Sequence, residues 1–133
     1  MIEIRELVAL SRQSPTEANI EALWRAVFLS RAWYLLPARP DDPASFPLVV
    51  MRDDEPWLVA FTNFRRLRDL ERMLGHHGDS KMLMLDPSEA LAQITAVKDH
   101  IRGVIFNIES DEMFRCETDA FIAYASHFGL EVD

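Results

Sequence analysis

The chain is poor in cysteine, glycine and lysine, and it has no long apolar run. A single cysteine, Cys116, excludes an internal disulfide and any zinc site built on more than one thiolate. Only four glycines are present (Gly75, Gly78, Gly103 and Gly129), and none builds a G-x-G-x-x-G fingerprint or a Walker loop. A backbone cradle for phosphates needs closely spaced glycines, so the common nucleotide-binding folds are not expected. A G-x-S-x-G nucleophile elbow is also missing. The longest apolar run, Ala32 to Ala38, contains Pro37 and falls far short of the ~18 residues of a membrane span. The opening, Met1-Ile2-Glu3-Ile4-Arg5-Glu6, puts acid where a secretory leader needs a basic segment and an apolar core. The expected location is therefore cytoplasmic. Two lysines stand against twelve arginines, a bias that fits a GC-rich coding sequence and carries no functional weight.

What is present is ordinary for a folded domain. The chain has 133 residues, of which 49% are hydrophobic and 27% charged, consistent with one domain over residues 1–133. A chain of this size hides about two-thirds of its unfolded surface, enough for its own core. The net charge of −8 repels phosphate backbones and argues against nucleic acid as a partner. Acid is concentrated late: from Asp99 to Asp133, eight carboxylates face only Arg102 and Arg115.

Hydrophobic spacing predicts the elements. A short helix is expected over Ile2 to Leu10. Ser14-Pro15-Thr16-Glu17 reads as a capping box with proline at the first helical position. It opens a helix to about Ser30 with Ile20, Leu23, Trp24 and Val27 inward. Ala32 to Leu36 is a strand, and Arg39 to Pro47, with three prolines and two aspartates, is a loop. Leu48–Met51 and Trp57–Phe61 form a hairpin around a four-residue acidic turn, Asp53 to Pro56, with both strands expected inside a sheet covered on its two faces. Thr62 or Asn63 caps a helix that ends at Gly75 and buries Phe64, Leu67, Leu70 and Leu74. Lys81–Leu85 is a strand. Asp86-Pro87-Ser88-Glu89 repeats the capping pattern and opens a helix with Leu91, Ile94, Val97 and Ile101 inward. Gly103–Ile108 is a strand, and Glu117 or Thr118 begins a last helix that buries Phe121, Ile122, Ala125 and Phe128. The fold class is α/β with mixed α and β order: a central mixed sheet of about five strands, including one hairpin, flanked by helices.

No catalytic constellation is apparent, so the chain is not expected to be an enzyme, and no cofactor or metal is expected. His76-His77-Gly78-Asp79 is the one stretch that suggests metal. Adjacent loop residues point apart and no second ligand cluster lies at zinc spacing, so a solvated loop is the expectation. His100 and His127 fall in last helical turns, where a cation complements the helix dipole. Glu109, Asp111 and Glu112 follow a strand end and suit the first turn of whatever follows, with Ser110 as a cap; no partner base accompanies them. Cys116, between Arg115 and Glu117, reads as a small half-buried side chain. The helix from Asn63 to Gly75 runs against the overall charge, with Arg65, Arg66, Arg68 and Arg72 against Asp69 and Glu71. Arg65, Arg68 and Arg72 share one face. They are either a docking surface for an acidic protein partner or ordinary pairs (Arg65 with Asp69, Asp69 with Arg72) on a wet face.

The order of motifs carries a resemblance. Ala22-Leu23-Trp24-Arg25-Ala26 leads into Trp33-Tyr34-Leu35-Leu36-Pro37, a strand then runs into Ala60-Phe61-Thr62-Asn63 and a helix, and Gly103-Val104-Ile105-Phe106-Asn107 follows. Over Glu17 to Ile108 this resembles the SseB-type (enhanced serine sensitivity) N-terminal domain, with its F-T-S or F-T-D step and a later strand ending in N-P-G. Here Asn63 replaces the Ser or Asp, and Ile108-Glu109 replaces the proline and glycine. The resemblance implies a bacterial cytoplasmic α/β domain with no established enzymatic activity. Thr62, Asn63 and Asn107 all lie at strand C-terminal ends, and parallel neighbours would bring them to the edge where α/β sheets bind ligands. Two functions are therefore expected. The first is a non-enzymatic interaction or regulatory module using an exposed aromatic or the arginine face. The alternative is a small-molecule binder or minor enzyme with a site at Thr62, Asn63 and Asn107. Oligomeric state is not legible in the sequence.

Overall fold

Leu58, Val59, Ala60 and Phe61 are an unbroken run of β-forming and small residues with no solvent exposure, and they form the spine of the molecule. The structure is a computed structural model describing residues 3–39, 42, 47–73, 75, 83–110 and 112–130. The described elements are helices α1 (Ile4–Gln13) and α2 (Glu17–Phe28), strands β1 (Trp33–Leu35), β2 (Val49–Arg52) and β3 (Glu55–Phe61), helix α3 (Phe64–Met73), strand β4 (Leu83–Leu85), helix α4 (Pro87–Ala96), a 3-10 turn (Lys98–His100), strands β5 (Gly103–Phe106) and β6 (Phe114–Glu117), and helix α5 (Thr118–His127). No described helix is long and apolar enough to cross a membrane.

The fold is α/β, with a mixed six-stranded sheet in the order β4-β1-β3-β5-β6 and β2 added beside β3. β3 and β5 run parallel, with Trp57 opposite Gly103 and Ala60 opposite Phe106. The other pairs are antiparallel. β1 and β2 share one edge of β3: β2 takes Glu55 to Leu58, and β1 takes Ala60 and Phe61. Leu48 joins the two halves, donating to Leu36 O at 2.6 Å and accepting from Val59 N at 3.0 Å.

Helices α1, α2, α4 and α5 pack on one face through Val8, Trp24, Phe28, Leu91, Ile94 and Phe121. Trp24 is the hub, with the rings of Phe106, Phe114, Phe121 and Tyr124 within 6.0 Å of its own. On the other face α3 sets Leu67 and Leu70 against Trp57, Val59, Phe61 and Ile105.

Several expectations are corrected. The mixed sheet of about five strands has six among the described residues, because Phe114-Arg115-Cys116-Glu117 also pairs with β5. Its apolar–charged alternation is too short to stand out, and the strand is fixed by Phe114 stacking on Phe106 at 5.0 Å. The hairpin turn has two residues, not four. Asp53 and Asp54 both take positive φ (54° and 64°), the type I′ geometry that matches strand twist, so Glu55 and Pro56 already belong to β3. β3 is buried on both faces as expected, but β2 is not: Met51 is 64% exposed.

The two proline capping motifs also diverge. Asp86 accepts from Glu89 N at 2.8 Å while Glu89 Oε1 accepts from Asp86 N at 3.1 Å, the expected box. Ser14, by contrast, ends α1 by donating its N–H to Leu10 O. The cap of α2 therefore passes to Thr16, which accepts from Asn19 N at 3.2 Å, and Pro15 lies outside the helix. α4 stops at Ala96, and His100 falls in the 3-10 turn beyond it. Ile101 is buried nonetheless.

Gly103 is the tightest point of the parallel pair. A Cβ there would lie 2.2 Å from Cys116 O and 2.6 Å from the Trp57 ring. Gly103→Ala is expected to cost about 3 kcal/mol by overpacking. Gly75→Ala, in open space at φ +76°, should cost only about 1 kcal/mol for its left-handed backbone. Urea unfolding midpoints check the contrast, and equal losses would contradict the packing assignment.

Candidate functional site

The parallel pairing of β3 and β5 makes their C-terminal ends adjacent, so Thr62, Asn63 and Asn107 do meet. Asn107 continues the ladder by donating to Ala60 O at 2.9 Å, then turns with φ +55°. Its side chain reaches back across the strands: Oδ1 accepts from Thr62 N at 3.0 Å and Nδ2 donates to Thr62 Oγ1 at 3.0 Å. Asn107 has no exposure, so its amide is a bracket between strands and presents no surface to a ligand. Asn63 is the N-cap of α3, its Oδ1 accepting from Arg66 N at 2.9 Å. Thr62 and Asn63 remain half-exposed.

Glu112 completes this corner. It is 9% exposed, and its carboxylate accepts from Asn63 Nδ2 at 3.3 Å and from Arg66 Nη2 at 3.1 Å. Ser110 shapes the loop that delivers it, donating to Asn107 O at 2.7 Å and accepting from Glu112 N at 3.1 Å. Among the described residues, the element that follows Ser110 is β6. Glu109 instead pairs with Arg52, and Asp111 lies outside the described residues. The joint role of Arg66 and Glu112 is not visible in the sequence, since they are 46 residues apart.

Thr62, Asn63 and Glu112 form one rim of a groove of about 830 Å³ whose other walls are α1 and α2. Its apolar lining includes Ile4, Leu7, Ala22, Ala26 and Leu29.

The arginine face of α3 is a separate region. Arg68 lies over the Phe64 ring at 4.5 Å and pairs with buried Glu71. Asp69 pairs with Arg66 at 3.5 Å and Arg72 at 3.6 Å, so the expected Arg65–Asp69 pair is replaced. Arg65 is exposed. Arg72 is 77% exposed at its side chain, where a single pair holds it weakly. The Phe64 ring meets Tyr34 edge-on at 6.1 Å, and Tyr34 lies directly opposite Met84 on β4. Phe64 was expected inward, yet it is 40% exposed and Met84 is 61% exposed.

Elsewhere, His127 reaches Glu21 at 3.1 Å across α5 and α2, in a shallow cavity that Tyr124 also lines. The His127 hydrogen bond holds the Glu21 carboxyl below its ordinary value of 4.5. That pairing stabilises the fold above this range, and the contribution is lost as pH falls through it. Burial, then the Glu117 charge, pushes the Cys116 thiol up to about 12. Among the described residues no group of three His, Cys, Asp or Glu is placed to hold a metal ion. His76, His77 and Asp79 lie outside the described residues.

No family model and no curated protein matches the chain.

Asn107→Ala removes both hydrogen bonds to Thr62 and leaves alanine in a left-handed conformation, so a loss of about 2–4 kcal/mol is expected. Asn107→Gly relieves the backbone and should lose about 1 kcal/mol less. Equal, small losses in denaturant titrations would count against the bracket. With a pKa of about 12, only on the order of one Cys116 thiol in ten thousand is ionised at pH 8. Ellman's reagent should therefore react slowly with native protein and fast in urea; a native rate matching the unfolded one would refute the assignment.

Proposed function

We propose that this domain is a non-enzymatic interaction module that holds an acidic segment of a protein partner on the exposed face of α3. The observation that carries the reading is the run of side chains from Arg68 over Phe64 to Tyr34, with Met84 opposite Tyr34 on β4 and Arg65 and Arg72 exposed on the same helix. Exposed aromatic and arginine side chains are the residue types that anchor protein interfaces. The chain's net charge of −8 repels an acidic partner at long range, so the attraction is local to the arginines of α3. The resemblance to SseB-type N-terminal domains supports the same reading and, with it, a bacterial cytoplasmic setting.

A second reading rests on the groove of about 830 Å³ beside Thr62 and Asn63, whose volume suits a metabolite. Asn107 takes no part in it, since its amide is enclosed. A ligand at 100 times its Kd adds about 2.7 kcal/mol, which a thermal-shift screen of metabolites detects.

The interaction reading is tested by capture from a bacterial lysate on immobilised protein, with the partner then purified and titrated. Arg68 also holds buried Glu71, so its replacement mixes folding with binding. The clean variant is therefore Arg65→Glu with Arg72→Glu. We expect at least a tenfold loss of affinity and a strong salt dependence. Unchanged affinity in the double variant would reject this surface.

A further inference from the structure

The sheet ends on β4, which pairs with β1 on one side and with no described strand on the other. A free strand edge presents a row of unpaired N–H and C=O groups, and natural proteins protect such edges with charge, proline or a bulge. The opposite edge, β6, is protected in this way: Arg115 pairs with Asp53 at 3.2 Å, and Glu117 pairs with Arg102 at 2.6 Å. Within Leu83-Met84-Leu85, β4 carries no charge, proline or bulge; its protection among the described residues is its three-residue length, and Met84 stands exposed on it.

The orientation of α3 relates this edge to the arginines. Arg66 is tied by Glu112 toward the β5–β6 side of the helix. Phe64 leans on Tyr34, the cross-strand neighbour of Met84, on the β4 side. Arg68 and Arg72 follow Phe64 at successive four-residue steps and so continue along that same side. A strand added to β4 would lie about 4.8 Å beyond it, with alternate side chains rising on the face that α3 covers.

We infer that the β4 edge is completed by an extended acidic segment of the protein partner, which pairs with the β4 backbone and turns alternate carboxylates toward Arg65, Arg68 and Arg72. This rests on the interaction reading above and specifies its partner as a strand rather than a helix or a folded surface. Main-chain hydrogen bonds supply affinity in this mode, and alternate side chains supply specificity. A second copy of the chain fits less well. Pairing two β4 edges about a two-fold axis sets one arginine face against another, and like charges across an interface are costly.

The test uses a short synthetic peptide of alternating glutamate and valine, a lysine–valine counterpart, and a glutamate–valine version with prolines at alternate positions to remove backbone donors. The expected result is saturable binding of the first peptide alone, with amide exchange at Leu83–Leu85 slowed at least tenfold. Affinity should fall at least tenfold in Arg65→Glu with Arg72→Glu, and a similar loss is expected for Met84→Lys. If the proline version binds equally, or β4 amides stay unprotected while the arginine variant still loses binding, strand addition is overturned and the arginine face stands as a different kind of dock. Binding of the lysine peptide, or no saturable binding of any peptide, overturns the inference. Concentration-dependent dimerisation with β4 protected in the absence of peptide would make a second copy the occupant and overturn it too.

Discussion

The parallel pairing of β3 with β5 is the constraint on which the rest of this domain depends. Parallel neighbours cannot be joined by a tight turn, so the chain between them must leave the sheet, cross a face and return. Here that excursion supplies α3, β4 and α4. The same pairing demands Gly103, because the Trp57 ring and Cys116 O occupy the space of a Cβ. At the far end of the pair, Asn107 fastens the two strands through Thr62 with donor and acceptor both used. One register thus determines the tightest packing contact, the main crossover and the polar corner.

Among the described residues the two faces of the sheet are covered unequally. Four of the described helices enclose one face around Trp24, while α3 covers the other. A single amphipathic helix of ten residues cannot hide a six-stranded sheet. Tyr34, Phe64 and Met84 are therefore left at the margin, on the side where arginines accumulate. Arg68 serves both settings, stacking on an exposed ring while balancing the carboxylate of buried Glu71. The groove beside Thr62 and Asn63 is of another kind. Its polar rim is already engaged in capping α3 and in holding Glu112, so a ligand there would meet groups with few bonds left to offer.

Local chemistry was legible wherever neighbours in the sequence were the only competitors. Asp86-Pro87-Ser88-Glu89 forms the capping box its spacing implies, and Asn63 caps α3. The similar Ser14-Pro15-Thr16-Glu17 does not, because Ser14 is already committed to closing α1. The hairpin was legible, but its turn tightened to two residues once both aspartates accepted positive φ. β6 escaped notice because its four residues have no signal apart from Phe106, the ring that Phe114 stacks on. Phe64 looked like a core residue by helical spacing and became a surface one, since the sheet beneath it is at its margin.

By itself the sequence determined an α/β class, most element positions, most of the core stripes of α2 to α5 and the arrival of Thr62, Asn63 and Asn107 at strand ends. These follow from periodicity and caps, which act over a few residues. Only the tertiary structure decided strand order, the closed bracket that removes Asn107 from any ligand, the Arg66–Glu112 clamp and the run of side chains from Arg68 over Phe64 to Tyr34. Each of these joins groups that lie far apart in the chain, and the chain's own spacing places no constraint on which distant partner a strand edge or a charged side chain will find.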